Sequence, residues 1–192
     1  MAAAQILLAS ASPRRRALLA QIGIDCAVHP VDLDESRRPG ESPADYVRRL
    51  AREKARAGLA ASDAGLPALG ADTVVVLDGD TLGKPRDGDH ARATLARLSG
   101  REHRVLSGVA LATAARCESV VVATRVFFRE LSTAEIDAYW DSGEPADKAG
   151  GYGIQGRGAV FVERIDGCYS NVVGLPLAAT AQLLAEFGVL PR

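Results

Sequence analysis

Apolar runs, several rich in valine, alternate with stretches of helical patterning, and this alternation constrains the fold more than any other feature of the 192-residue chain. The runs are Gln5–Ala9, Ala68–Leu77, Arg104–Ala112, Ser119–Phe128, Gly158–Arg164 and Tyr169–Val173, read as strands. Between them the spacing predicts helices over Pro13–Ile22, Pro43–Leu59, Asp89–Leu98, Thr133–Asp141 and Leu177–Phe187. Ser12 and Ser42 are N-cap residues followed by Pro13 and Pro43 at the first helical position, and Ser132 with Glu135 has capping-box spacing. Arg104–Phe128 reads as a hairpin around Ala114–Glu118, and the last two strands turn at Asp166-Gly167. The expected fold is α/β: a mixed, strongly twisted sheet with helices packed on it.

At 47% hydrophobic content the chain has the material for one compact domain without a metal or disulfide to hold it. A net charge of -1 argues against a broad footprint on nucleic acid, so the local basic clusters must serve something small. Cys26, Cys117 and Cys168 are odd in number, far apart and without CxxC spacing, which fits a reducing cytoplasm. The apolar stretch Met1–Ala11 lacks a positive leading region and contains the first strand, so it is not read as a signal peptide. No stretch approaches the roughly 20 apolar residues of a membrane span.

Against this ordinary background, Arg14-Arg15-Arg16 occupy the first turn of a well-capped helix. Cations there oppose the helix dipole by about 0.3–1 kcal/mol each and repel one another, an arrangement that makes sense when an anion fills the space between them. Arg15 lies on the face of Leu18, Leu19 and Ile22 with Arg14 beside it, whereas Arg16 points to solvent. Arg14 and Arg15 therefore form a candidate phosphate clamp.

The second helix carries Lys54 in the middle of an apolar stripe of Val47, Leu50, Ala51 and Gly58, with Arg48, Arg49, Arg52 and Arg56 on the opposite, solvated face. An unpaired buried ammonium is costly, so Lys54 must snorkel, pair with a carboxylate or meet an anionic ligand. Asp72 stands at the start of the apolar strand Ala68–Leu77, as a metal ligand, a base or a cap. Lys84 follows the turn Asp78-Gly79-Asp80 and returns toward the same end of the sheet. The polar, turn-rich segment Val31–Glu41 is the expected mobile loop, placed to close over a site.

The run Asp147–Gly158 contains GxGxxG at Gly151, Gly153 and Gly156. A dinucleotide-binding motif follows a strand and opens a helix, whereas here a helix precedes and a strand follows, so that reading fails. GxxxxGK[ST] is absent, which excludes a Walker-type NTPase, and no serine sits in G-x-S-x-G. Tyr152, Ile154 and Gln155 among the glycines are candidates to stack on and hydrogen-bond a base. His29, His90 and His103 read as structural or surface residues.

The segments SASPRR, Glu53-Lys54-Ala55, GADTVV, LGKP, DKAGGYGIQG and SNVVGLP together resemble, in order and spacing over nearly the whole chain, the Maf family of nucleoside triphosphate pyrophosphatases. The resemblance implies an elongated, inosine triphosphate pyrophosphatase-like fold forming a single domain over residues 1–192, with the active-site cleft between two lobes. It implies hydrolysis of a nucleoside triphosphate to the monophosphate and pyrophosphate with Mg²⁺ or Mn²⁺, Asp72 as proton acceptor, and Ser10, Arg14, Arg15, Lys54 and Lys84 at phosphate-contacting positions. Asp72 and Glu35 are the candidate metal ligands.

Within the family the chain resembles the dTTP/UTP branch, marked by Arg14, Thr73 and Gln155; the 7-methyl-GTP branch usually carries glutamine after the aspartate and glutamate in the loop. A glutamine amide offers both an acceptor and a donor pair, matching the N3–H and carbonyls of uracil or thymine. The implied role is clearance of surplus or modified pyrimidine nucleotides in the cytoplasm, by a homodimer with no nucleic-acid or membrane partner. A non-catalytic nucleotide sensor linked to septum formation is the alternative that the resemblance leaves open.

Overall fold

The structure, a computed structural model, describes residues 3–190. Met1 and Ala2 of the apolar leading stretch lie outside them. The strands are β1 (Ile6–Leu8), β2 (Cys26–Val28), β3 (Ala68–Leu77), β4 (Asp80–Leu82), β5 (Glu102–Ala112), β6 (Cys117–Phe128) and β7 (Val162–Asp166). The helices are α1 (Pro13–Gln21), α2 (Pro43–Ala60), α3 (Gly88–Leu98), α4 (Thr133–Asp141), α5 (Tyr169–Val173) and α6 (Leu177–Glu186), with short 3-10 turns between α4 and β7. The seven strands form a mixed sheet in the order β2-β1-β3-β5-β6-β7, with β4 pairing β3. Among the described residues no helix is long and apolar enough to cross a membrane.

The chain divides into two compact units, one comprising Met1–Asp72, Ser107–Val122 and Gly174–Arg192, the other Thr73–Leu106 and Ala123–Val173. In the first, β1 pairs in parallel with both β2 and β3. Helix α2 lies on this sheet through its smallest residues. A Cβ on Gly70 of β3 would stand 2.3 Å from the Ala51 carbonyl oxygen and 2.4 Å from the Ala55 nitrogen, and one on Gly108 of β5 2.3 Å from the Val47 carbonyl oxygen. Backbone thus approaches backbone where only glycine fits. Strand side chains alternate between faces, so Asp72, two residues beyond Gly70, faces α2 as well. Lys54 lies between Ala51 and Ala55 on the buried side of the helix. The contact that needs Gly70 therefore also brings lysine and aspartate together.

The second unit is built on aromatic and aliphatic packing. Val75, Leu77, Leu95, Leu98, Val126 and Phe128 are buried in one cluster with Tyr139, Tyr152 and Phe161. The rings meet edge to face, Phe128 with Tyr152 at 4.7 Å and Tyr139 with Phe161 at 4.9 Å between centroids, a geometry that adds about 0.5–1.5 kcal/mol per pair beyond buried area.

Strand β3 and helix α4 have the expected bounds, and α1, α2, α3, α6, β1, β5 and β6 differ from expectation only at their ends. Tyr169–Val173, expected as a strand, is helix α5. Its β-branched residues are overruled by tertiary bonds: the buried Asn171 amide donates to the Val105 carbonyl at 2.9 Å and to Thr124 Oγ1 at 3.0 Å. The expected strand Gly158–Arg164 begins instead as a 3-10 turn over Arg157–Phe161 and becomes extended only from Val162. Strands β2 and β4 are additional. The latter forms because Asp78 and Gly79 both take positive φ, 54° and 89°, closing a tight hairpin whose geometry matches strand twist.

Candidate active site

Helix α1 starts as its sequence dictates, with the Ser12 side chain accepting from the Arg15 amide and Pro13 at the first position. No acidic residue balances its first turn. The Arg15 guanidinium turns inward, donating from Nη1 to Ser10 Oγ at 3.0 Å and from Nε to the Gly174 carbonyl at 3.0 Å. Burial lowers its pKa, with Asp72 pulling in the opposite direction; arginine stays protonated through such changes. Arg14 is half-buried and Arg16 exposed, as expected.

Lys54 is buried, and its ammonium donates to Asp72 Oδ1 at 2.8 Å and pairs with Glu35 Oε1 at 2.6 Å. The pairing with carboxylate, one of the alternatives left open by the sequence, is what the structure contains. Burial raises the Asp72 pKa, and the charge and hydrogen bond of Lys54 act against that rise. Asp72 is thus a shielded carboxylate of increased basicity, oriented by an ammonium. Glu35 differs: its side chain is 55% exposed against 11% for Asp72.

Glu35 is brought in by the segment between β2 and α2, which is tied down along its length. Tyr46 Oη donates to the Glu35 carbonyl at 2.8 Å. Arg49 bridges Glu41, at 2.6 Å and 2.9 Å, and Glu53 at 3.0 Å, and also donates to the Ser36 carbonyl. The Arg49 hydrogen bonds hold the Glu41 carboxyl down at about 2. Arg49, expected on a solvated face, is therefore a half-buried brace, and Arg52 also finds a partner, Ser119, at 3.3 Å. Arg48 and Arg56 are exposed as expected.

Thr73, Lys84 and Gln155 belong to the second unit. Strand β4 runs antiparallel to β3 with Leu82 opposite Val75, so the chain leaves it heading back toward Thr73. Lys84 is exposed there, and the neighbouring Gly83 carbonyl accepts from the Gly150 amide at 2.9 Å. Gln155 is exposed on the glycine loop. Tyr152, expected to stack on a base, is instead a core residue, 6% exposed, whose hydroxyl lies 2.8 Å from His103 Nε2. Edge-to-face packing on Phe128 claims its ring.

Two residues with no signal in the sequence pattern, Glu144 and Tyr139, shape this loop. Glu144 Oε1 accepts from Tyr139 Oη at 2.8 Å and from the Gly158 amide at 3.2 Å, while Oε2 accepts from the Arg157 amide at 2.8 Å. Tyr139 Oη in turn accepts from the Gly153 amide at 3.0 Å. Among the described residues no group of three or more His, Cys, Asp or Glu side chains is placed to hold a metal ion.

A mixed α/β sheet thus sets a cationic helix start and a buried lysine–carboxylate cluster in one unit. The chain belongs to the Maf family: residues 5–187 match the family model described as Maf-like protein. Relatives named dTTP/UTP pyrophosphatase are similar to it almost end to end. The protein of Hahella chejuensis is 55% identical over 96% of this chain and 93% of its own length. That of Pseudoalteromonas translucida is 56% identical over 95% and 96%, and that of Yersinia pestis 53% identical over 95% and 92%. A crystal structure of a nucleoside-triphosphatase / dITP/XTP pyrophosphatase from Mycobacterium abscessus is similar over 64% of this chain and 72% of that chain, at 22% identity and a TM-score of 0.41.

Proposed function

We propose that this chain is a nucleoside triphosphate pyrophosphatase that hydrolyses dTTP and UTP to the monophosphate and pyrophosphate. The observation that carries the reading is the Lys54–Asp72 pair, at 2.8 Å and almost closed to solvent, in a chain more than half identical to relatives bearing that activity in their names. Asp72, made more basic by burial, takes the proton from the water that attacks the α-phosphorus. Lys54 fixes the carboxylate and keeps it ionised. Arg14, Arg15 and Ser10 bind the phosphates, and together with Lys84 offset the charge that gathers on the departing pyrophosphate. Holding water, base and phosphorus in line supplies the remaining advantage. Gln155 reads the pyrimidine edge through its amide, with Arg14 and Thr73 contributing to substrate choice.

The donors at Asp72 and Glu35 suit a divalent cation. Both are hard carboxylate oxygens that already share one cation, the Lys54 ammonium, and Mg²⁺ is commonly bound by one or two carboxylates with substrate phosphates and water completing its shell. When bound, Mg²⁺ or Mn²⁺ supplies charge neutralisation at the phosphate oxygens. The reading extends to a cytoplasmic homodimer acting in the clearance of surplus pyrimidine nucleotides, supported by three free cysteines and by the family resemblance.

Pyrophosphate release measured side by side for dTTP, UTP, CTP, dATP and 7-methyl-GTP, with Mg²⁺ and with Mn²⁺, tests it. dTTP and UTP are expected to be the best substrates, and Asp72→Asn to lower kcat by about 10²–10⁴, the usual worth of a general base. Release of orthophosphate, or no turnover of either pyrimidine nucleotide, would sink the assignment.

A further inference from the structure

Glu144 and the glycine loop are related in a way that the proposed reaction does not by itself require. The carboxylate lies against the loop and is engaged from three directions, by the amides of Arg157 and Gly158 and by the Tyr139 hydroxyl. Through Tyr139 it also reaches the Gly153 amide. The chain segment 153–158 is thus pinned at both ends to one side chain and its hydroxyl partner, and Gln155 stands between the pinned points. Gly156 shows how close the fit is: a Cβ there would lie 2.4 Å from either carboxylate oxygen. Lys148 closes the base of the arrangement, donating to the Glu144 carbonyl at 2.8 Å.

These contacts need an anion. A carboxylate is acceptor-only, and each oxygen here receives an N–H or O–H. Burial pushes the Glu144 carboxyl up, and the Arg157 amide, the Tyr139 hydroxyl and the Gly158 amide together outweigh it, leaving the group below the ordinary glutamate range. A glutamine in its place would keep the Oε1 partners only by turning its NH₂ toward the Arg157 amide, donor against donor.

We propose that Glu144 is a positioning residue for base recognition: its carboxylate, with Tyr139, sets the backbone of residues 153–158 so that the Gln155 amide is presented to the pyrimidine edge. The inference rests on the reading of Gln155 as the base-contacting residue. Glu144 touches no substrate atom in this scheme. Its effect is on which base is accepted, not on the chemistry at phosphorus.

The experiment compares Glu144→Gln and Gln155→Ala with the unmodified full-length protein. For each, kcat and KM are measured for dTTP and dATP, inhibition by inorganic tripolyphosphate is measured as a base-free probe, and melting temperature is recorded. Gln155→Ala is expected to lower the dTTP to dATP ratio of kcat/KM, and Glu144→Gln to lower it by about tenfold, the scale of one lost charge-assisted hydrogen bond, mainly through KM for dTTP. Tripolyphosphate inhibition is expected to stay within about twofold in both. If Glu144→Gln lowers melting temperature but leaves the ratio at the unmodified value, or weakens tripolyphosphate as much as dTTP, the positioning role is overturned. If Gln155→Ala leaves the ratio unchanged, it is the assignment of Gln155 that fails. Glu144→Asp, which keeps the charge but retracts it, is expected to recover part of the discrimination that Glu144→Gln loses.

Discussion

Two buried polar clusters in this molecule solve the problem of burial in opposite ways. In the first unit Lys54 and Asp72 are both nearly closed to solvent and answer one another at 2.8 Å, with Glu35 completing the set. In the second unit His103 is 2% exposed and faces a tyrosine hydroxyl, with Nδ1 left without a hydrogen-bond partner. Burial lowers its pKa to about 4, so it is neutral at neutral pH. Charge removed from water persists where a counter-charge is within reach and is given up where none is. The first cluster is costly to keep and chemically useful; the second serves packing and orientation.

Removing the counter-charge should collapse the distinction, and it carries the largest expected effect. Lys54→Met leaves the buried Asp72 with burial still raising its pKa and the largest opposing influence gone. The carboxylate then ionises only at higher pH. kcat/KM for dTTP is expected to fall by about 10²–10³, and the acid limb of its pH profile to move upward. The stability sign follows: an acid with a raised pKa in the folded state binds its proton more tightly there, so stability is lost as pH rises through that pKa. Thermal melts of Lys54→Met should therefore improve toward acid pH relative to the unmodified protein. An acid limb that stays in place would mean that Lys54 does not govern the ionisation of Asp72.

A smaller effect tests the other cluster. With a folded-state value of about 4 for His103 against 6.5 ordinarily, the unfolded chain binds the extra proton first as pH falls. Stability is present above about 6.5, declines below it, and the loss is complete near 4, amounting to about 3 kcal/mol. His103→Gln, which carries no titrating ring, should show a shallower fall in melting temperature between pH 7.5 and 4.5. An equally steep fall in the variant would assign the acid sensitivity to other groups.

The same contrast explains what the chain disclosed in advance. Lys54 was legible because helical spacing put a cation among Val47, Leu50 and Ala51, and Asp72 because it broke an apolar strand. Regular elements carry their side chains at fixed periods, so a charge out of place is visible. Glu35 was named only through the family resemblance, and its partner Lys54 lies across an irregular segment fixed by Tyr46 and Arg49, which no period describes. Tyr152 misled for a related reason: next to glycines it looked available, but the unit's aromatic packing takes it inward. Glu144 had no signal, because its partners are backbone amides, which sequence does not distinguish. Tyr169–Val173 became helix through Asn171, whose partners Val105 and Thr124 lie more than 40 residues away in the chain.

The smallest expected effect concerns Arg16, and it separates a functional cation from a merely adjacent one. Arg15 is half-buried and held by Ser10 and Gly174, whereas Arg16, one residue further, is exposed. Both stand in a helix start with no acidic residue to balance them. Arg16→Ala removes a positive charge from the wrong end of the helix dipole and installs the best helix former, so stability is expected to rise by about 0.3–1 kcal/mol at low salt. kcat/KM for dTTP is expected to stay within about twofold, as for an ordinary surface substitution. The gain should shrink as salt is raised, because exposed charge is screened. If instead Arg16→Ala raised KM for dTTP by tenfold or more, the arginine run would act as one unit, and the division of its members by burial would have to be abandoned.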